Sequence, residues 1–347
     1  MEQRLLGKSG LSVPVLSFGT MTIGGQGRFA SMGTLGVPEA RRMLDICADA
    51  GVTLLDTADV YSSGGSEEVL GEVLVGKRQR FAISTKAFSR MGPGPHETGL
   101  SRQHLIEACE ASLRRLRTDY IDLYLAHEPD QLVPVEETLR AYDDLVRQGK
   151  VRYIGCSNFS GWHLMKALGA SERNGLPRYI AQQINYSLLA RDAESELIPL
   201  GIDQGVGAMV WSPLHFGLLS GKFRRDARPS ETRLNHLEAP GTIDQERLYR
   251  IVDVLLEIAG ERVVTAAQVA LNWLMSKPCV DTVIVGARNE EQLRDNLAAA
   301  EWRLTAEEVA RLDEVSATPE PYPYWHQHKF GGERNPRVPA MRAAKAE

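Results

Sequence analysis

The feature that most constrains this chain is an alternation of two sequence textures. Short apolar runs recur at Val15–Gly19, Val52–Asp56, Phe81–Lys86, Ile121–His127, Val151–Ser157, Tyr179–Ile184, Gly207–Trp211 and Thr282–Val285. Each is too short and too apolar for a strand with one wet face, so each reads as a strand covered on both sides. The stretches between them are amphipathic and helical, with usable punctuation. Pro38 stands where a first helical turn begins, and Gly51 follows Ala50 as a stop. Ser101 caps Arg102–Leu116, in which Leu105, Ala108, Cys109, Ser112 and Leu113 share one face. Val135–Gln148 ends at Gly149, and Asn289 is a good N-cap for Glu290–Ala300. Strands alternating with helices imply parallel pairing through right-handed crossovers. Eight such units, spaced at roughly 30–40 residues, imply an α/β fold closed into a (β/α)8 TIM barrel. An open doubly wound sheet is the alternative.

Some stretches exceed a minimal barrel. Arg4–Leu16, with Lys8-Ser9-Gly10 between apolar runs, reads as an N-terminal hairpin lying across the barrel floor. Gln26–Val37 is a Gly-rich insertion after the first strand, and Lys222–Gly241 is a polar segment after the seventh. A single barrel domain over 1–329 is expected, with an extra C-terminal segment, 330–347, as a loosely ordered tail. The 43% hydrophobic and 24% charged content excludes wholesale disorder. Forty basic against 45 acidic residues, net −5, leave no electrostatic footprint for nucleic acid. No apolar run approaches a membrane span, and Met1-Glu2-Gln3-Arg4 lacks the layout of a signal peptide. Cys47, Cys109, Cys156 and Cys279 lie far apart with no C-x-x-C, which reads as reduced thiols in a cytoplasmic protein. Lys77-Arg78-Gln79-Arg80 reads as a solvated turn before a strand.

The chemistry is concentrated at strand ends. The second, third and fourth runs end on Asp56, Lys86 and His127, and Tyr61 lies five residues past Asp56. In a parallel barrel these ends open onto one face, where reactive groups collect. One such residue alone is as readily a solvated loop edge. An acid, an amine, an imidazole and a phenol from consecutive units make a site. An ammonium beside a phenol favours the phenolate, a carboxylate holds the ammonium charged, and a neutral imidazole directs a carbonyl oxygen. That set protonates an oxygen while something else delivers a hydride.

Asp56-Thr57-Ala58-Asp59-Val60-Tyr61, Lys86, His127, Gly149–Phe159 and Trp211-Ser212-Pro213-Leu214 together resemble the aldo-keto reductase superfamily, in its bacterial and potassium-channel β-subunit-like branch. The resemblance runs from about Arg4 to about Val315. It implies Tyr61 as general acid, Lys86 and Asp56 as its tuning pair, and His127 as the substrate-orienting residue. It implies NADPH/NADP+ as cofactor, with Gly19, Thr20 and Met21 on the first strand. Ser157, Asn158 and Gln183 would hold the carboxamide, Trp211 the nicotinamide ring, and Ser212, Leu214 and Gly217 the pyrophosphate. Gly286, Arg288, Gln292 and Asn296 would grip the adenosine end. A helix starting near Asn289 suits a phosphate, and Arg288 adds charge for a 2′-phosphate. The implied partner is a small carbonyl or alcohol substrate, with no nucleic acid, membrane or metal. The implied reaction is reduction of an aldehyde or ketone, or the reverse. A cofactor-binding regulatory or redox-sensing subunit is the alternative.

Two departures bear on these roles. His215-Phe216 stands where the family often has a small residue, and narrows the cleft or points outward. Glu128 beside His127 is also unusual; it joins Tyr61 and His127 in the expected substrate pocket and leaves the substrate class open. Gly25-Gln26-Gly27-Arg28-Phe29-Ala30 mimics a dinucleotide fingerprint, but the next helix starts only near Pro38, so a rim loop over the substrate is expected. His326-Gln327-His328 lacks further ligands for a metal. Tyr322–Trp325 either packs the tail on the barrel or supplies an apolar wall to the substrate.

Overall fold

In the computed structural model, which describes residues 1–227 and 243–331, the eight apolar runs pair side by side into a closed barrel. The strands are β3 (Leu16–Gly19), β4 (Leu54–Asp56), β5 (Ala82–Ala87), β6 (Ile121–Ala126), β7 (Val151–Ser157), β8 (Tyr179–Asn185), β9 (Gly207–Trp211) and β10 (Val280–Val285). All neighbours are parallel, and β10 returns to β3 to close the ring. The runs read from the sequence coincide with β7 and β9 and differ from the other strands by a residue or two at their ends. His127 falls just past β6, its amide still donating to the Ala87 carbonyl at 3.0 Å.

Both faces of each strand are buried, which is why the runs are apolar throughout. On β6, Leu123 and Leu125 point into the barrel with Leu54, Ala181, Met209 and Ile284, while Tyr124 and Ala126 point out to the helices. The outer ring is α1 (Val37–Asp49), α2 (Gly65–Val73), α3 (Arg102–Leu116), α4 (Val135–Arg147), α5 (Gly161–Asn174), α6 (Leu197–Gln204), α8 (Ala266–Met275) and α9 (Glu290–Ala298). An additional helix, α7 (Gln245–Arg262), precedes α8, and α10 (Ala306–Val315) and α11 (Tyr324–Phe330) follow the barrel. Ser101 and Asn289 cap α3 and α9 as expected, each accepting a backbone N–H. α9 stops at Ala298 and gives way to a 3-10 turn, two residues short of the expected end.

The hairpin is present, as β1 (Gln3–Leu5) paired antiparallel with β2 (Ser12–Pro14). It seals the end of the barrel opposite the strand C-termini. Leu6 inserts among the interior side chains, and the Gly7 amide donates to Asp281 Oδ2 at 2.9 Å. Gly7 is left-handed (φ 57°), and a Cβ there would meet backbone atoms of Gly207, Gly205 and Ile180 at 2.5–2.7 Å. Only glycine fits.

The basic cluster needs correction at one residue. Arg78–Arg80 does form a turn before β5, but the Arg78 side chain is not solvated. It donates to the carbonyls of Phe81 and Tyr120 and to Asp122 Oδ2 at 2.6–2.9 Å, stacked on the Tyr120 ring. The cysteines are unpaired with one another, and burial pushes the thiols of Cys47, Cys109 and Cys279 up to about 12. Most of Lys222–Gly241, and the tail past Gly331, lie outside the described residues.

Candidate active site

The strand ends bring Asp56, Lys86 and His127 onto one rim, and the turn after β4 folds Tyr61 over them. Lys86 is wholly buried, so its ammonium must find its partners within the protein. Its Nζ donates to Asp56 Oδ2 and to the Thr57 carbonyl, each at 2.7 Å, and is hydrogen-bonded to the Tyr61 side chain. Burial works against its charge, but Asp56 and Tyr61 outweigh burial, and its pKa is raised. The other oxygen of Asp56, Oδ1, accepts from Gln183 Nε2 at 2.8 Å.

His127 packs edge-on to Tyr61, with ring centroids 6.0 Å apart. Burial and then the Lys86 charge depress its pKa to about 3, so its imidazole is neutral at any physiological pH. A neutral ring with one N–H can direct an oxygen towards Tyr61 without adding a proton of its own. The Gly-rich insertion reaches the same point. It forms a 3-10 turn, Gly27–Phe29, rather than a phosphate-binding helix start, and Phe29 packs edge-on to Tyr61 at 5.8 Å.

Beneath this group lies a layer that sequence reasoning missed. Glu67 on α2 is fully buried and takes hydrogen bonds from Thr85 Oγ1 (2.5 Å) and Arg115 Nε (2.7 Å). Asp59 is also fully buried, and neither carboxyl oxygen makes a side-chain hydrogen bond of ordinary geometry. Burial, and then the charge of Glu67, raise its pKa well above the carboxylate range. The only sequence signal was an acid two residues before Tyr61.

From the rim a cleft runs outward between the loops after β9 and β10. Ser212, Leu214, Gly217, Gly286, Arg288, Gln292 and Asn296 all line it. Thr22, Ser31, Met32, Lys222, Thr265 and Asp295 line it too and were not anticipated. Phe216 forms part of its wall and lies edge-on to Trp211, while His215 is buried and turns inward towards Ser187, neither lining the cleft nor pointing outward. Thr20 is fully buried, its hydroxyl spent on the Asp56 carbonyl and Ser66 and its backbone on Asp56, Ile23 and Ser66, so it supports the rim from beneath. Gly19 sits where a Cβ would meet Ile284 Cγ2 at 2.8 Å, and Met21 follows on the rim.

The residues expected to seat a carboxamide form a connected network. Ser157 donates to the Gln183 carbonyl at 3.2 Å. Asn158 is left-handed (φ 57°); its Nδ2 donates to the His127 carbonyl and to Glu128 Oε1, and its Oδ1 accepts from Trp211 Nε1 at 3.2 Å. Gln183 spends its amide nitrogen on Asp56, which leaves Oε1 to accept from a ligand. The start of α9 is a weaker anion site than expected. Asn289 and the Gln292 side chain take the Gln292 and Arg288 amides, and Glu290 and Glu291 occupy the first turn. Arg288 and Lys222, both exposed on the cleft wall, carry its positive charge. Among the described residues there is no metal-binding cluster and no helix long and apolar enough to cross a membrane. His328 pairs with Glu320 at 2.8 Å, and Tyr322 is mostly exposed.

Residues 15–317 match the model of the Aldo/keto reductase family. A probable voltage-gated potassium channel subunit beta of Arabidopsis thaliana is 40% identical, covering 87% of this chain and 92% of its own. An uncharacterized oxidoreductase of Bacillus subtilis, YrpG, is 36% identical over 93% and 99%. Versiconal hemiacetal acetate reductase of Aspergillus parasiticus is 34% identical over 90% and 96%.

Proposed function

The chain belongs to the aldo/keto reductase family, and on that premise we propose that it is an NADPH-dependent reductase of aldehydes or ketones, reversible towards the alcohol, with Tyr61 as proton donor. One observation carries this reading: the buried ammonium of Lys86 is shared between Asp56 and Tyr61. A structural ion pair needs no phenol on the solvent side of it. When bound, the nicotinamide supplies the hydride that reaches the carbonyl carbon. His127 donates its N–H to the carbonyl oxygen and sets its direction. Tyr61 passes its hydroxyl proton to that oxygen, and Lys86 stabilises the phenolate left behind. Asp56 keeps the ammonium charged and aimed. Trp211, Asn158, Ser157 and Gln183 hold the ring, and Arg288 and Lys222 face the phosphates.

The test is steady-state oxidation of NADPH with a panel of aromatic aldehydes. Turnover with at least one of them is the expected result. Tight binding without turnover supports instead a cofactor-binding regulatory subunit, a second reading kept because several relatives are named as probable channel subunits.

A further inference from the structure

Glu128 stands without a counter-ion at the rim where the charges of Lys86 and Asp56 cancel. His127 is neutral. Among the described residues Glu128 makes no ion pair, and its one side-chain partner is Asn158 Nδ2, at 2.8 Å. Burial raises its pKa and the hydrogen bond from Asn158 opposes that shift. The next link is Trp211, whose Nε1 donates to Asn158 Oδ1, and the cleft wall begins at the following residue, Ser212. The carboxylate therefore sits at the end of the cleft that meets Tyr61 and His127. In the function proposed above, on which this inference rests, that end holds the nicotinamide.

The two redox forms of that ring differ by one unit of charge. The oxidised ring is a cation and the reduced ring is neutral, while the rest of the dinucleotide is the same. A residue can shift an equilibrium only by its differential affinity for the two states, and an unpaired carboxylate beside the ring has one. We infer that Glu128 holds the oxidised cofactor more tightly than the reduced one, and so lowers the potential of the bound cofactor and makes its reduced form a stronger hydride donor to a carbonyl. For a one-unit difference in charge beside a carboxylate, screened between the protein-surface and water limits, the preference is about tenfold. That equals roughly 1.4 kcal/mol, or about 30 mV in the two-electron potential of the bound cofactor.

The experiment is fluorescence titration of the wild type, Glu128→Gln and Glu128→Asp with NADP+ and NADPH, repeated with NAD+ and NADH if the phosphorylated pair does not bind. Because the two forms share every other contact, the ratio of their Kd values isolates the ring charge. In Glu128→Gln the ratio should move about tenfold in favour of the reduced form, and in Glu128→Asp, still charged, it should stay near the wild-type value. Glu128→Ala serves as the neutral variant if the glutamine protein does not fold. An unchanged ratio in the neutral variant overturns the inference, as does an equal weakening of both forms, which would make Glu128 only a support for Asn158. Failure of the wild type to bind any of the four dinucleotides would instead refute the proposed function itself, and the inference with it.

Discussion

Lys86 has three N–H donors and uses them on Asp56, Thr57 and Tyr61, so it cannot be replaced without leaving a partner unmet. Tyr61→Phe keeps the ring against Phe29 and His127 and removes only the proton. Dinucleotide binding should persist while kcat falls by ~10²–10⁴-fold, the usual contribution of a general acid; stopped-flow binding and steady-state rates together decide this. Lys86→Met strands Asp56 with Gln183 as its only side-chain donor. Breaking a buried pair from one side costs roughly 3–5 kcal/mol, so urea denaturation should show that loss alongside lost activity. His127 makes a prediction in pH. Its pKa falls from about 6.5 in the unfolded chain to about 3 in the folded one. The unfolded state therefore binds the extra proton between these values. The stability due to keeping His127 neutral is fully present above about pH 6.5 and is lost as pH falls towards 3. The difference in melting temperature between wild type and His127→Asn should contain that acid-side slope.

The elements that carry the site were legible because a strand buried on both faces leaves a distinctive apolar run, and its polar last residue stands out against it. Asp56 and Lys86 were visible in this way. Tyr61 was visible only through its distance from Asp56. The Glu67–Arg115–Thr85 layer was not, because its members come from α2, α3 and β5, and Glu67 and Arg115 look like surface residues in their own stretches. Arg78 was misread for the same reason: its partners, Tyr120 and Asp122, lie more than forty residues on. The hairpin was legible as an element, but its tight contact with the floor was not. There Gly7 is pressed against backbone on three sides. Gly7→Ala adds both left-handed strain and overpacking, each on the order of 1–3 kcal/mol. It should lower the denaturation midpoint by a corresponding amount while leaving kcat unchanged below the melting range, since the floor lies across the barrel from Tyr61.

At the scale of the molecule, the proposed reaction and the recognition of the cofactor's tail occupy opposite ends of one cleft. This separation makes them independently testable. Arg288→Ala removes a guanidinium suited to a 2′-phosphate, with charge-assisted bonds worth about 1.5–3 kcal/mol each. NADPH affinity should drop by roughly one to two orders of magnitude while NADH affinity barely moves; titration with both checks it, and equal losses would place Arg288 on the shared pyrophosphate. The hairpin also ties the start of the chain to its last barrel strand. Arg4 donates to the carbonyls of Val280 and Met275, 276 and 271 residues downstream, and β3 completes its pairing only with β10. On the ribosome, at roughly 5–20 residues per second, the first segment waits about 15–55 s before those partners are made. Its buried apolar residues, Leu6 and Val13 among them, are then without their native cover for most of synthesis. The nascent barrel is an open sheet with two raw edges until its final quarter emerges, and that interval is when a chaperone has most to protect.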